Sequence, residues 1–388
     1  MNQAATSSVV EPAPRPNAVL VAVGLCLCGW LAALGGAVAA TNPPGCTYLH
    51  DEVRRGPWSV HVFKVNRSHP GWEIQTTVGG GNHFGLAVVS DQVKFVPPEA
   101  GRVIAAINGD FYGRSDYYPG EPQGLQIIRG ELISAPHPTR ISFWTDASGN
   151  PHRATVTAQF NVTWPDGTTT PFGLNQARPY DGAVLYTSMI GASTWNSGGR
   201  ELVLERKGDG AWLPLQIGKT YTAQVREVRE TGDTPLASNI VVLSLGPQCA
   251  LRAPKVAVGA VLQIATTTTP DLAGAKTALG GGPSLVLEGK AGHWGAFQFR
   301  HPRSAIGWNK DYFFLVEVDG RQSSSVGMTY SELADYLIKL GCQEAINLDG
   351  GGSATLWAYG SVANSPSQGY ERPAANALVV LLRHLPEK

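Results

Sequence analysis

The chain of 388 residues is long enough to bury one large core or two ordinary ones. Its 30 Lys plus Arg balance 30 Asp plus Glu, so it lacks the positive field of a nucleic-acid binder, and nucleic acid is not an expected partner. Charged residues make up only 15% while glycines number 46, a composition that favours tight turns and a strand-rich fold.

Residues 1–40 read as a signal peptide or signal anchor. The apolar run from Ala18 to Ala40 follows Arg15 and finishes in small residues, which favours cleavage near Ala39 or Ala40 over an uncleaved span. Either way the main domain is expected outside the cytoplasm, whether periplasmic, secreted or anchored, with membrane contact only through an uncleaved segment. Residues 41–59 form a lead-in and 60–384 the main domain. Cys46, Cys249 and Cys342 lack CxxC spacing and are expected to be buried structural thiols rather than redox or zinc ligands. Asn66 and Asn161 head glycosylation sequons, which matter only in a host that glycosylates secreted proteins.

Beyond residue 55 the pattern alternates in period two through VHVFKV, ATVTAQFNVTW, RELVLER, YTAQVREV, VLQIATTT and FFLVEV, each predicted to be a strand. TYSELADYLIKLG differs: Thr329 and Glu332 stand at capping-box spacing, Leu333, Tyr336, Leu337 and Leu340 share one helical face, and Gly341 stops the run. The weakly patterned stretch from about 150 to 246 reads as an inserted β subdomain. The predicted fold class is α+β: strand-rich mixed sheets with a few helices, in a single large domain.

Two pentapeptides carry the chemistry. AINGD (Ala106–Asp110) and AINLD (Ala345–Asp349) share one pattern, each read as the end of a strand whose Asn and Asp, two residues apart, face the same way. Asp349 is followed by Gly350, Gly351, Gly352 and Ser353, bare backbone suited to an anion. Gly280–Gly282, before Pro283 and Ser284, offers a second such turn, whereas Gly79–Gly81 reads as an ordinary one. A lone Asp-Gly would be read as a backbone cap. Repetition of the pattern beside Phe111, Tyr112 and Trp357 favours a site. Arg303, in HPRSAIGW, has the fork for a phosphate or carboxylate, its bland alternative being a surface ion pair. His83, His137 and His301 are weaker acid or binding candidates. The nine histidines include no HExxH, and no GxSxG elbow or Walker sequence occurs. No metal ligand set or cofactor is therefore expected, although calcium or magnesium held by Asp110, Asp349 and the Asn oxygens is an alternative.

INGDFY (107–112), GGGPSLV (280–286), RSAIGW (303–308), VDGRQ with SVGMTYSELA, NLDGGGSATLW (347–357) and ERPAANALVV (371–380) resemble, in order and spacing, the phosphodiester glycosidases related to the uncovering enzyme of lysosomal targeting. The resemblance covers roughly residues 60 to 383 and is loose over 150–245. It implies hydrolysis of a sugar joined to phosphate on an extracytoplasmic glycan or glycoconjugate, in a bacterial envelope setting because the chain lacks the animal enzyme's cysteine-rich and anchoring tail. Asp349 is then nucleophile or base, and Asp110 orients sugar hydroxyls with Asn108 and Asn347; the reverse assignment of the two acids is nearly as good. Arg303, Gly281, Gly282, Ser284, Gly350, Gly351, Gly352, Ser353 and Arg372 are the implied substrate contacts. The rival readings are a metal-assisted phosphodiesterase cleaving the P–O bond and a non-catalytic binder of envelope glycans.

Overall fold

The computed structural model describes residues 43–113, 118–208, 210–295 and 298–383. The segment read as a signal or anchor lies outside these residues. Among those described, no helix is long and apolar enough to cross a membrane.

The six alternating segments all form strands, and the fold is α+β with sheets predominant. A seven-stranded antiparallel sheet runs in the order Cys46–Val53, Trp58–Asn66, Tyr312–Val318, Arg303–Trp308, Glu344–Asn347, Ser284–Leu287, Lys290–Ala291. Facing it is a five-stranded sheet ordered Ser361–Val362, Leu356–Ala358, Arg102–Asn108, Ala377–Leu382, Trp72–Thr76. The pleat sends neighbouring residues to opposite sides. Ile306 joins Phe63, Leu315 and Ile346 against Ile104, Ile107 and Val380 of the facing sheet, while Ala305 points outward to the helix Tyr330–Lys339. Burying Leu333 and Leu337 of that helix contributes up to about 1.5–3 kcal/mol each. Its capping box is formed: the Glu332 N–H donates to Thr329 Oγ1 (3.2 Å) and the Thr329 N–H to Glu332 Oε2 (2.9 Å).

A second five-stranded sheet, Glu131–Ser134, Gln126–Ile128, Thr277–Gly281, Ile141–Thr145, Pro151–Thr155, leads to a closed seven-stranded barrel. The barrel runs from Thr157 to Thr269, overlapping the weakly patterned stretch and passing beyond it, because closure requires Val261–Thr269 to pair with Thr157–Thr163. All its strand pairs are antiparallel except Thr169–Leu174 with Ala183–Tyr186. Cys46, Cys249 and Cys342 are free and buried, each in a different apolar cluster.

Candidate functional site

The strands Arg102–Asn108 and Glu344–Asn347 lie in the two facing sheets and end side by side. The Asp349 N–H donates to Gly109 O at 3.0 Å and Asn108 Nδ2 to Asp349 O at 2.6 Å, so the two AINxD segments meet. One expectation fails at this junction. Both strands stop at the Asn, the two Asp lie beyond them, and the period-two rule no longer places Asn and Asp on one face. Asn108 is fully buried, with Oδ1 accepting from Ser304 Oγ (2.6 Å) and the Thr355 N–H (3.1 Å). Asn347 Nδ2 donates to Gly282 O (3.0 Å) and Leu348 O (2.6 Å). Both amide nitrogens fasten backbone rather than facing a sugar, while the buried Asn347 Oδ1 has no partner among the described residues.

Asp110 is buried, its Oδ1 accepting from the Phe111 N–H (2.8 Å) and Arg140 Nη2 (3.2 Å). Its Oδ2 lies in a slot between Gly124 and Gly280 beside the Gly124 amide, without a well-formed hydrogen bond. An ideal Cβ at Gly280 would stand 2.2 Å from that oxygen, which is why the position carries no side chain. Burial pushes the Asp110 carboxyl up to about 6, against the pull of Arg140 and the Phe111 N–H, while the charge of Asp349 pushes it further up. Arg140 also donates to Gln123 Oε1 (2.8 Å) and stacks over the Phe111 ring at 4.2 Å. Asn376 holds this turn from behind, its Oδ1 accepting the Asp110 N–H at 2.8 Å.

Asp349 is the more open acid. Its Oδ2 accepts from Arg372 Nη2 at 3.2 Å, and Arg372 Nε donates to Ser353 Oγ at 2.8 Å. Burial raises the Asp349 carboxyl, with the Ser353 hydroxyl and Arg372 drawing it back. Arg321 also approaches this loop at Gly351 and donates to His301 Nδ1 at 3.3 Å. Burial and the charges of Arg303 and Arg321 lower the His301 pKa, favouring neutral imidazole. Each acid thus already faces a guanidinium, a poor setting for calcium, which takes six to eight oxygen ligands. The arrangement instead suits an anion arriving between Arg321 and Arg372.

The remaining predicted residues divide. Gly350, Gly351, Gly352, Ser353 and Arg372 gather around Asp349. Gly281 and Gly282 adjoin Asn347, but the Gly282 N–H is taken by Asn347 O at 2.7 Å and is no open anion donor. Ser284 pairs opposite Ile346 on the neighbouring strand and makes no side-chain hydrogen bond. Arg303 requires correction as a free anion fork: it is buried, stacks on Tyr330, and donates from Nε to Met328 O and from Nη2 to Phe299 O, both at 2.8 Å. His83 is exposed beside Asn82, His137 bonds within its own turn, and Trp357 packs into the opposite face of its sheet with Ala106 and Val379. Sequence reasoning missed Arg140, Arg321 and Asn376. The signal for two of them was present, since Arg321 lies in VDGRQ and Asn376 in ERPAANALVV. A groove of about 710 Å³ lined by Gln75, Arg129, Gln216 and Lys276 among others contains neither acid.

Comparison with known proteins agrees with the motifs. The phosphodiester glycosidase family matches residues 217–381. The SPbeta prophage-derived protein YomE of Bacillus subtilis is 35% identical over 88 residues, 22% of this chain and 14% of its own length. The bovine N-acetylglucosamine-1-phosphodiester alpha-N-acetylglucosaminidase is 44% identical over 66 residues, 17% of this chain and 12% of its own. This chain therefore spans only a small part of these relatives. Two solved structures share the fold: a hypothetical protein from Synechocystis (TM-score 0.69, 23% identity, 87% of this chain and 62% of that one) and a Burkholderia pseudomallei protein provisionally described as exported (TM-score 0.64, 22% identity, 84% and 74%). The family that matches residues 217–381 is the one that the motifs from Gly280 to Val380 resemble.

Proposed function

We propose that this chain hydrolyses sugar-1-phosphodiesters, breaking the bond between the anomeric carbon and the bridging phosphate oxygen. The observation that carries this reading is the meeting of the Asp110 and Asp349 turns beside a bare glycine loop flanked by Arg321 and Arg372. Arg321 and Arg372 receive the phosphate. A phosphate leaving group departs readily as an anion and asks little of a general acid, so the heavier demand is charge stabilisation. Asp349, paired with Arg372 and the less buried of the two acids, attacks the anomeric carbon or takes a proton from the attacking water. Asp110 lies too deep to touch the sugar and, with Arg140, fixes the turn on which Asp349 rests. An extracytoplasmic glycan or glycoconjugate is the substrate in this reading, in keeping with the apolar Ala18–Ala40 segment and the relative described as exported.

Hydrolysis of α- and β-linked sugar-1-phosphodiesters in ¹⁸O-water tests the reading. Label in the released sugar is expected. Label in the phosphate would overturn it in favour of P–O cleavage, and tight binding of every such compound without turnover would make the chain a glycan binder. Turnover undiminished in Asp349→Ala would remove Asp349 from the reaction.

A further inference from the structure

Away from the two acids described above, the seven-stranded sheet buries a second cluster of ionisable side chains. His61 and Glu317 are paired directly across adjacent strands, Asp319 follows two residues on, and one potential ligand atom from each lies within 4.8 Å of the others. All three residues are buried. The His61 ring is fixed, with Nδ1 bonded to Tyr48 OH at 2.7 Å and one face stacked on His50 at 4.2 Å between centroids. Its Nε2 therefore points at Asp319 Oδ2, 3.2 Å away. Ser59 Oγ stands 3.2 Å from that nitrogen and donates to the same carboxylate oxygen at 2.9 Å.

Glu317 supplies an independent sign of a missing partner. It is fully buried, yet neither carboxylate oxygen has a well-formed hydrogen bond. The neighbouring Asn364 amide reaches toward Glu317 but is shared with Asp319 Oδ1 (3.4 Å) and Ala354 O (3.3 Å). A buried carboxylate without a partner is costly, and Glu317, set beside the already partnered Asp319 and an imidazole nitrogen, calls for a positive charge among the three. We propose that His61, Glu317 and Asp319 bind a divalent transition-metal ion of the Zn²⁺ or Mn²⁺ type.

The geometry fits such an ion. Bonds of about 2.0–2.2 Å at tetrahedral angles set neighbouring ligands roughly 3.3–3.6 Å apart, close to the His61–Asp319 separation of 3.2 Å. One nitrogen with two carboxylates suits zinc or manganese better than calcium, whose shell is all oxygen. Tyr48 on the far ring nitrogen and the Ser365 N–H on Asp319 Oδ1 (2.9 Å) are the outer partners that orient metal ligands. An entry route exists in a cavity of about 500 Å³ lined by Ser59, His61, Asp319, Asn364 and Ser365 among others. The site also reaches toward Asp349. Ser304 lies opposite Glu317 on the next strand and donates to Asn108, whose amide holds the Asp349 carbonyl. The ion is thus placed to brace the sheet behind the candidate site.

The test uses the full chain, stripped with EDTA and dialysed, then titrated calorimetrically with Zn²⁺, Mn²⁺ and Ca²⁺, with bound metal counted by elemental mass spectrometry. About one equivalent of Zn²⁺ or Mn²⁺ is expected, raising the unfolding temperature, with at least about tenfold weaker binding in Glu317→Gln and in His61→Asn. Circular dichroism checks that the variants fold. Should both fail to fold, Tyr48→Phe keeps every ligand and frees the ring, and is expected to weaken binding about tenfold. No bound ion in the wild type, a preference for Ca²⁺, or binding unchanged in the folded variants overturns the assignment.

Discussion

Replacing Asp110 by Asn should remove a pH-dependent loss of stability whose size follows from the burial of that carboxyl. An unperturbed aspartate titrates at 3.8, whereas burial raises Asp110 to about 6 in the folded chain. Below the unfolded value both states hold the proton, and the stabilisation associated with this group is fully present. As the pH climbs from 3.8 towards 6 the unfolded chain releases its proton first, and folding becomes less favourable by about 1.36 kcal/mol per unit. A gap of about two units makes the total on the order of 3 kcal/mol, lost by about pH 6 and constant above it. Asparagine keeps an oxygen for the Phe111 N–H but does not titrate, so groups that do not interact with Asp110 cancel in the difference between the two proteins. Urea unfolding of Asp110→Asn and wild type at intervals from about pH 4 to pH 7 should show the variant gaining on the wild type by about 3 kcal/mol across the window. The slope carries the test, because the loss of the Arg140 partner adds a roughly constant offset. A difference that stays level, or moves the other way, would show that the Asp110 carboxyl is not raised and would refute the burial argument.

Three further substitutions probe the same site. Arg372→Gln removes the cation 3.2 Å from Asp349 that draws its carboxyl down, so the acid limb of kcat/KM for a sugar-1-phosphodiester should move up, with Arg372→Lys recovering part. A limb that does not move would leave Arg372 with phosphate binding alone. Arg321→Ala should raise KM about tenfold or more with a smaller change in kcat, and an unchanged KM would exclude Arg321 from phosphate recognition. Gly280→Ala puts a Cβ 2.2 Å from Asp110 Oδ2 and 2.8 Å from Gly124 Cα, so a loss of about 1–3 kcal/mol in unfolding free energy is expected; wild-type stability would show that the slot can widen.

The elements that the sequence shows plainly are those whose geometry is local. Thr329 and Glu332 announce the helix because a capping box is formed within one turn, and VHVFKV and FFLVEV announce strands because their faces alternate. The barrel boundary is less legible, since closure depends on Val261–Thr269 meeting a strand about a hundred residues earlier, and no local signal records such a pairing. The site divides in the same way. The repeated AINxD pattern singled out two acids whose turns meet, but the direction of a side chain past a strand end follows from its partners. Asn108 and Asn347 turned to backbone groups, and Arg303 to Met328 O and Phe299 O. Arg140, Arg321 and Asn376 reach the site only through folding of distant segments.

The three glycines after Asp349 serve three different physical needs. An ideal Cβ at Gly350 would lie 2.8 Å from Pro302 O, a backbone atom that cannot swing aside. Gly351 has φ of +63°, a left-handed conformation that side chains disfavour, and its Cβ would meet Arg321 Nη2 at 3.1 Å. At Gly352 the neighbour is Arg372 Nη1, at 3.2 Å. The loop therefore lies against the backbone just before the strand Arg303–Trp308 while leaving room for the guanidiniums of Arg321 and Arg372. In the proposed reading, Arg321 beside Gly351 and Arg372 beside Gly352 offer positive charge that an arriving phosphodiester anion can balance. Widening any of the three glycines should therefore disturb anion capture before it disturbs the fold, except at Gly350, where the backbone contact makes the two inseparable.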